Sequence, residues 1–310
     1  MFLRKTLTEM LTPDLPHYND PEGDCLPAGI SCVIDAHVHV FPDRTFQAVR
    51  NWFDAHAWRI RYRDSSENLI RFLLDRGVAH VIALQYAHKP GIARELNTYM
   101  AGLCRRFPGQ VTGMAAVFPG EPGAKDILKK AFDQGLGGVK LHVHVQCFDL
   151  NSPQMDEICA VCAGYGTPMV VHAGREPRSD HYRCDPYALC RADKVGHILT
   201  RFPDLKFCVP HLGIDEISAY RSLMAAHDNL WLDTAMVLTD YFPAQARPDL
   251  VAFPLDRVMY GSDFPNIPYA WDRELKWLKG ADLCASELEQ ITWRNAARFF
   301  NLGLKGLHGG

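Results

Sequence analysis

Residues 32–40 read CVIDAHVHV: a β-branched apolar run that ends in two histidines two positions apart. A run this short and apolar is a buried strand, and seven more follow at intervals that leave room for helices. They are VAHVIAL near residue 81, VTGMAAV near 114, GGVKLHV near 140, TPMVVHA near 170, LKFCVPH near 208, NLWLDTA near 231 and DRVMYGSD near 260. Between them lie amphipathic stretches such as ENLIRFLLDRG, AKDILKKAFDQG and ALCRADKVGHILTRF. In IARELNTYMAGLCRRF, Ile92, Leu96, Tyr99, Met100 and Leu103 recur at three- and four-residue steps, which marks one buried helical face. Strands that alternate with helices pair in parallel, because each crossover must travel the length of the sheet. Eight such units predict closure into an α/β fold of the (β/α)8 (TIM) barrel type, and no GxGxxG follows the first strand to favour an open dinucleotide-binding sheet. The chain has 310 residues, so this barrel occupies residues 31–310, with residues 1–30 as a Pro-, Asp- and Gly-rich N-terminal extension. The helix DLCASELEQITWRNAARFFNL is expected to pack on the outside, and the extension suits an arm laid on a second copy in a homodimer.

Composition excludes several classes. The net charge of −3, with both signs interspersed, offers no footprint for nucleic acid or an anionic membrane. No apolar run reaches membrane-spanning length and the N-terminus does not read as a signal peptide. The ten cysteines therefore read as reduced thiols of a cytoplasmic protein, with Cys159 and Cys162 as a buried helical pair, not half of a metal site.

Catalytic groups in such a barrel stand where strands end at their C-terminal side. There the chain carries His37 and His39 on one face of strand one, His172 after strand five, His211 after strand six and Asp263 after strand eight. Four imidazoles and a carboxylate aimed at one mouth would be costly in a core without mutual hydrogen bonds or a metal. They suit one or two divalent cations, zinc first among them. In strand four the two-residue period turns Val139, Leu141 and Val143 outward, and Lys140, His142 and His144 toward the mouth. The loop after strand five, GREPRSDHYR, has the look of a solvated segment, but Arg175, Arg178 and His181 also suit an anionic substrate group.

The ordered set His37-x-His39, Lys140, His172, His211 and Asp263, with the phrases DAHVHVF, GVKLH, VVHAG, HLG, YGSDFP and NAARFF, resembles the amidohydrolase superfamily, in particular the "amidohydrolase 2" branch. That branch holds hydrolases, lactonases and decarboxylases related to aminocarboxymuconate-semialdehyde decarboxylase, and the resemblance spans roughly residues 33–304. It implies that His37, His39 and Asp263 hold the first metal with His172 as the next ligand. His211 then works on the substrate in a one-metal arrangement. In a two-metal arrangement it binds the second ion, bridged to the first by a carboxylated Lys140; as an ordinary ammonium, Lys140 would instead bind a substrate carboxylate. Hydrolysis of an amide, ester or lactone of a small anionic molecule is the leading expectation. Asp263 would take the proton from metal-bound water, His211 or a metal would polarise the carbonyl, and His142 and Arg175 would contact substrate. Non-oxidative decarboxylation of an aromatic or dienoic acid is the alternative, and a silent metal-binding scaffold stands as a reading of another class.

Overall fold

The computed structural model describes residues 18–175, 179–239 and 248–303. Eight strands are present: β1 (Ile34–His39), β2 (His80–Leu84), β3 (Val111–Gly113), β4 (Val139–His142), β5 (Met169–His172), β6 (Phe207–Val209), β7 (Leu230–Asp233) and β8 (Val258–Met259). All pair in parallel, in sheets of order β1-β2-β3 and β4-β5-β6-β7-β8. Parallel bridges Ala115↔Val139 and Val38↔Phe264 join the two sheets at both edges. The backbone bonds Lys140 N–H to Ala115 O (2.9 Å) and His39 N–H to Phe264 O (2.7 Å) seal those seams. The result is a closed (β/α)8 barrel.

The helices run α1 (Asp43–His56), α2 (Ser66–Asp75), α3 (Ala93–Arg106), α4 (Ala124–Asp133), α5 (Val143–Gln146) and α6 (Pro153–Tyr165) in the first half. They continue with α7 (Pro186–Leu189), α8 (Ala192–Arg201), α9 (Ile217–Ala226), α10 (Arg273–Gly280), α11 (Ala285–Glu289) and α12 (Asn295–Phe299). Local chemistry sets their ends. Ser152 accepts a bond from Met155 N–H ahead of Pro153 to start α6, and Gly166, at φ +62°, closes it. Cys159 and Cys162 are buried in its apolar face.

Two layers of core follow from the strand period. Outward residues such as Val81, Val139, Leu141 and Val171 pack under the helices. Inward residues Ile34, Ile82, Met114, Val170, Cys208, Trp231 and Met259 fill the lumen. The C-terminal helix departs from expectation. Trp293, Ala296 and Phe299 join the lumen cluster, and Asn295 Nδ2 donates to the carbonyls of Leu255 and Val258 beside the start of β8. It therefore stops the floor of the barrel and does not extend the outer ring, which leaves the other end as the open mouth. Of the extension, residues 18–30 lie against the barrel: Gly23 N–H donates to Asp272 Oδ2, and Arg273 pairs with Asp20. The rest of the expected arm, residues 1–17, falls outside the described residues. Among those described, no helix is long and apolar enough to cross a membrane.

Candidate active site

The mouth is built from strand ends. In β1 the register against β2 shifts between Asp35 and Val38, a bulge that a strict two-residue period does not foresee. Below it Ile34 and Ala36 face the lumen; beyond it His37 and His39 turn inward, and Val38 packs outward. Asp35 takes no part in the lumen. Its carboxylate accepts from His37 N–H (3.1 Å), Ser262 N–H (3.1 Å) and the Ser262 hydroxyl (2.5 Å), stapling β1 to the end of β8. Burial is the main influence on this acid and raises its pKa to about 7.

Three ligand atoms converge. His37 Nε2 lies 3.2 Å from His39 Nε2 and 3.3 Å from Asp263 Oδ1, and His39 Nε2 lies 3.0 Å from that same oxygen. Bonds of about 2.1 Å to one cation require ligand separations of about 3.0 Å in an octahedron and about 3.4 Å in a tetrahedron. The residues therefore fit a divalent metal. His37 is prepared for it from behind: its Nδ1 donates to Asp233 Oδ2 at 2.8 Å, which leaves the Nε2 lone pair aimed at the cluster. Burial and then the charge of Lys140 push the His37 imidazole well below its ordinary pKa, and burial likewise lowers His39. Burial alone would raise Asp263, but the bond from His39 and the charges of His39 and His37 outweigh it and hold the carboxyl below the usual range.

Close approach decides one glycine. A Cβ on Gly261 would sit 2.7 Å from His37 Cβ and 3.4 Å from Asp233 Cγ, so any larger residue would push the two apart. Strain marks two of the strand ends. His211 (φ 59°) and Asp263 (φ 61°) are both left-handed, a conformation that costs a non-glycine residue about 1 kcal/mol or more.

A second group faces the first. Lys140 is in register with Val170, a lumen residue, and is fully buried; its charge acts on both His37 and His39. His142 pairs with His172 across β4 and β5, and their rings stack 4.1 Å apart. His144 sits edge-on to both, and the ligand nitrogens of His142, His144 and His172 lie within 4.8 Å of one another. Here the two-residue period fails, because β4 ends at His142 and His144 belongs to α5. His211 donates from Nδ1 to Ala235 O (2.8 Å), which leaves Nε2 as an acceptor 3.2 Å from His172 Nδ1. Its ring is 5.2 Å from that of His37, so the two groups form one continuous site.

The structure thus brings His37, His39, Lys140, His142, His172, His211 and Asp263 to one mouth. Arg175 is not among them: its Nε pairs with Glu216 Oε2 at 3.1 Å and its guanidinium lies over the Tyr187 ring, so an acidic neighbour already meets its charge. Arg178 lies outside the described residues. His181 stacks on His56 of α1 at 3.8 Å, and Tyr182 stacks on Trp52 at 5.6 Å while its edge meets His144. Residues 181 and 182 of the segment after β5 and the helix after β1 therefore meet beside His144 at the mouth. Two groups escape sequence reasoning. Tyr86, just beyond β2, packs its ring at a steep angle against those of His39 and His142. Asp233 closes NLWLD as Asp263 closes MYGSD, and the same strand-end rule would have found it.

A closed parallel barrel whose mouth gathers imidazoles, a carboxylate and a lysine in metal-ligating geometry defines a metal-dependent barrel of enzymatic type. The profile of the family described as "Amidohydrolase" matches residues 34–302, and the chain belongs to that family, within the amidohydrolase superfamily of enzymes. No curated protein matches the sequence. Solved structures do match in fold. An uncharacterized TIM-barrel protein from Bordetella bronchiseptica superposes with a TM-score of 0.69 at 16% identity, over 87% of this chain and 99% of that one. The 5-carboxyvanillate decarboxylase of Novosphingobium aromaticivorans, complexed with manganese and 4-hydroxy-3-methoxy-5-nitrobenzoic acid, gives 0.66 at 17% identity, over 91% and 100%. The 2,6-dihydroxybenzoate decarboxylase from Rhizobium gives 0.64 at 16%, over 88% and 98%.

Proposed function

We propose that this protein is a non-oxidative decarboxylase of a small aromatic or dienoic carboxylic acid, working with one divalent cation at His37, His39 and Asp263. The observation that carries this reading is the composition of the mouth. Opposite the single carboxylate of the ligand triad stand one cationic side chain, Lys140, and three imidazoles, His142, His172 and His211, with no second carboxylate among them to repel an anion. The resemblance in fold to decarboxylases of hydroxybenzoates and of 5-carboxyvanillate supports the same reading. When bound, the cation supplies a positive centre for substrate oxygens; zinc, first from the ligand types, and manganese both suit the set.

The protein's own groups do the rest. Lys140 attracts the substrate carboxylate, and His142 and Tyr86 flank the ring or diene. The reaction replaces carbon dioxide by a proton: the carbon bearing the carboxylate takes the proton, the bond to the carboxylate breaks, and its electron pair restores the π system. Asp263 and His211 are the proton carriers, since both side chains reach the mouth and His211 Nε2, shared with His172 Nδ1, is a proton acceptor there. Trp52, His56, His181 and Tyr182, packed beside the mouth, limit water.

A second reading, hydrolysis, is favoured by one observation: Lys140, His172 and His211 complete the set that a two-cation, water-activating site would use. One experiment separates the two. Manganese- or zinc-loaded protein is offered hydroxybenzoates and dienoic acids in one series and lactones, esters and amides in another. Carbon dioxide release, with deuterium from heavy water entering the vacated carbon, supports decarboxylation. Cleavage of the second series without carbon dioxide from the first refutes it.

A further inference from the structure

Two thiols meet in the loops beside the mouth. Cys147 ends α5 at φ 54°, is exposed, and donates to the carbonyl oxygen of His144 at 3.3 Å. Cys184, half-buried in the loop after β5, donates to that same oxygen at 3.1 Å. One shared acceptor holds the sulfurs side by side, and the two thiols also interact directly. The loop that carries Cys184 is the one whose Tyr182 stacks on Trp52 and meets His144, and whose His181 stacks on His56. Arg183 ties the same stretch to the Val145 carbonyl at 2.7 Å.

We propose that Cys147 and Cys184 are an oxidation-sensitive pair, joined by peroxide into a disulfide that ties residues 181–184 to the end of α5 beside the mouth. Exposure makes Cys147 the thiol that a soluble oxidant meets first. Its sulfur attacks one peroxide oxygen, the O–O bond breaks, and a sulfenic acid and one water form. Cys184 Sγ then attacks the sulfenic sulfur; hydroxide leaves and takes the Cys184 proton as a second water. The two sulfurs lose two electrons in all and the peroxide gains them. Burial, followed by the Cys147 side chain, pushes the Cys184 thiol up to about 12, which suits it to the second, resolving step more than to the first attack. The pair is independent of which reaction the mouth performs, because neither thiol is placed among the ligating or proton-carrying groups.

The test uses the full chain, reduced or treated with hydrogen peroxide. The oxidised protein is expected to lose the mass of two hydrogens and to yield, without reductant, one cross-linked peptide holding residues 147 and 184. Dithiothreitol reverses this. Trypsin cleavage after the exposed Arg183 is expected to slow several-fold in the oxidised form. Cys147→Ser and Cys184→Ser should each abolish the cross-link with unchanged thermal stability, while Cys25→Ser and Cys284→Ser, at two other exposed cysteines, should leave it in place. Oxidation of Cys147 to a sulfinic acid with Cys184 still reduced overturns the proposal. So does a cross-link that persists in Cys147→Ser, or a disulfide that leaves cleavage at Arg183 unchanged.

Discussion

Replacing Asp233 by asparagine is expected to weaken the metal site while sparing the fold. One carboxylate oxygen accepts from His37 Nδ1 at 2.8 Å, and the other from the backbone N–H groups of His211 (3.0 Å) and Ala235 (3.1 Å). An amide has a single acceptor oxygen, and it keeps the two backbone donors. Its NH2 then faces His37 Nδ1, and the imidazole must move its proton to Nε2 to avoid placing donor against donor. That proton points at His39 Nε2 and Asp263 Oδ1, where the cation binds. Partners of this outer kind are worth a factor of about 10–100 in metal affinity, or about 1.4–2.7 kcal/mol. The number of buried hydrogen bonds hardly changes, so the metal-free protein should melt within a few degrees of the parent. Asp233→Ala, by contrast, strands three buried donors at about 1–3 kcal/mol each and is expected to unfold. Calorimetric titration of chelator-stripped protein with manganese or zinc measures the effect. A dissociation constant within twofold of the parent's would refute the argument that Asp233 sets the His37 tautomer.

Three further outcomes follow from the same geometry. Asp263→Asn should lower carbon dioxide release by a factor of about 10²–10⁴ with the fold intact, as read by turnover against melting temperature; substantial turnover with metal bound removes Asp263 from proton transfer. Gly261→Ala should cost about 1–3 kcal/mol, because its Cβ meets His37 Cβ at 2.7 Å, and should also weaken metal binding; thermal unfolding and titration check both. Glu274 is fully buried, and its desolvation raises its carboxyl pKa well above the ordinary value. The folded state therefore keeps a proton that the unfolded chain releases, and stability falls as pH rises from about 4.5 toward the folded pKa, by at most about 1.4 kcal/mol per unit. Glu274→Gln should flatten that slope, so melting at pH 8 relative to pH 5 improves over the parent; an unchanged difference shows that Glu274 is ionised in the fold.

The barrel was legible because parallel strands covered by helices are continuous apolar runs, and a charged residue at the end of such a run is conspicuous. That contrast marks out His37, His172, His211 and Asp263 in the sequence itself. It failed where tertiary contacts decide. The bulge in β1 depends on the neighbouring strand's register, and nothing in CVIDAHVHV encodes it. The helical period of the C-terminal segment is the same whether its apolar face meets the outer ring or stops the floor, as Trp293 and Phe299 do. Arg175 looked available because Glu216, its partner, is 41 residues away in the chain. The two-residue period carries His144 into a strand that ends two residues earlier. Ligand spacing also cannot tell a substrate oxygen from a water, so the sequence alone leaves hydrolysis foremost.

Charge accounting ties the site to its substrate. Burial keeps His37 and His39 neutral at ordinary pH, and Asp233 is committed to His37. Asp263 is then the one carboxylate in the ligand triad. With Lys140 as an ammonium, a divalent cation brings three positive charges to a buried space in which Asp233 and Asp263 supply two negative ones. The surplus is a single positive charge, and in a medium of low dielectric such an excess is strongly unfavourable. A monoanionic substrate neutralises it, whereas a neutral ester or amide does not, unless it enters with hydroxide. In the proposed decarboxylation carbon dioxide leaves neutral and its electron pair stays on the substrate carbon. The surplus returns once a proton has been taken up from solvent, and the neutral product is then held less well than the acid that entered. Under the proposed reaction that asymmetry favours binding of the acid and departure of its product; hydrolysis of a neutral ester or lactone to an acid would reverse it, whereas an anionic ester or amide would enter as readily as the acid.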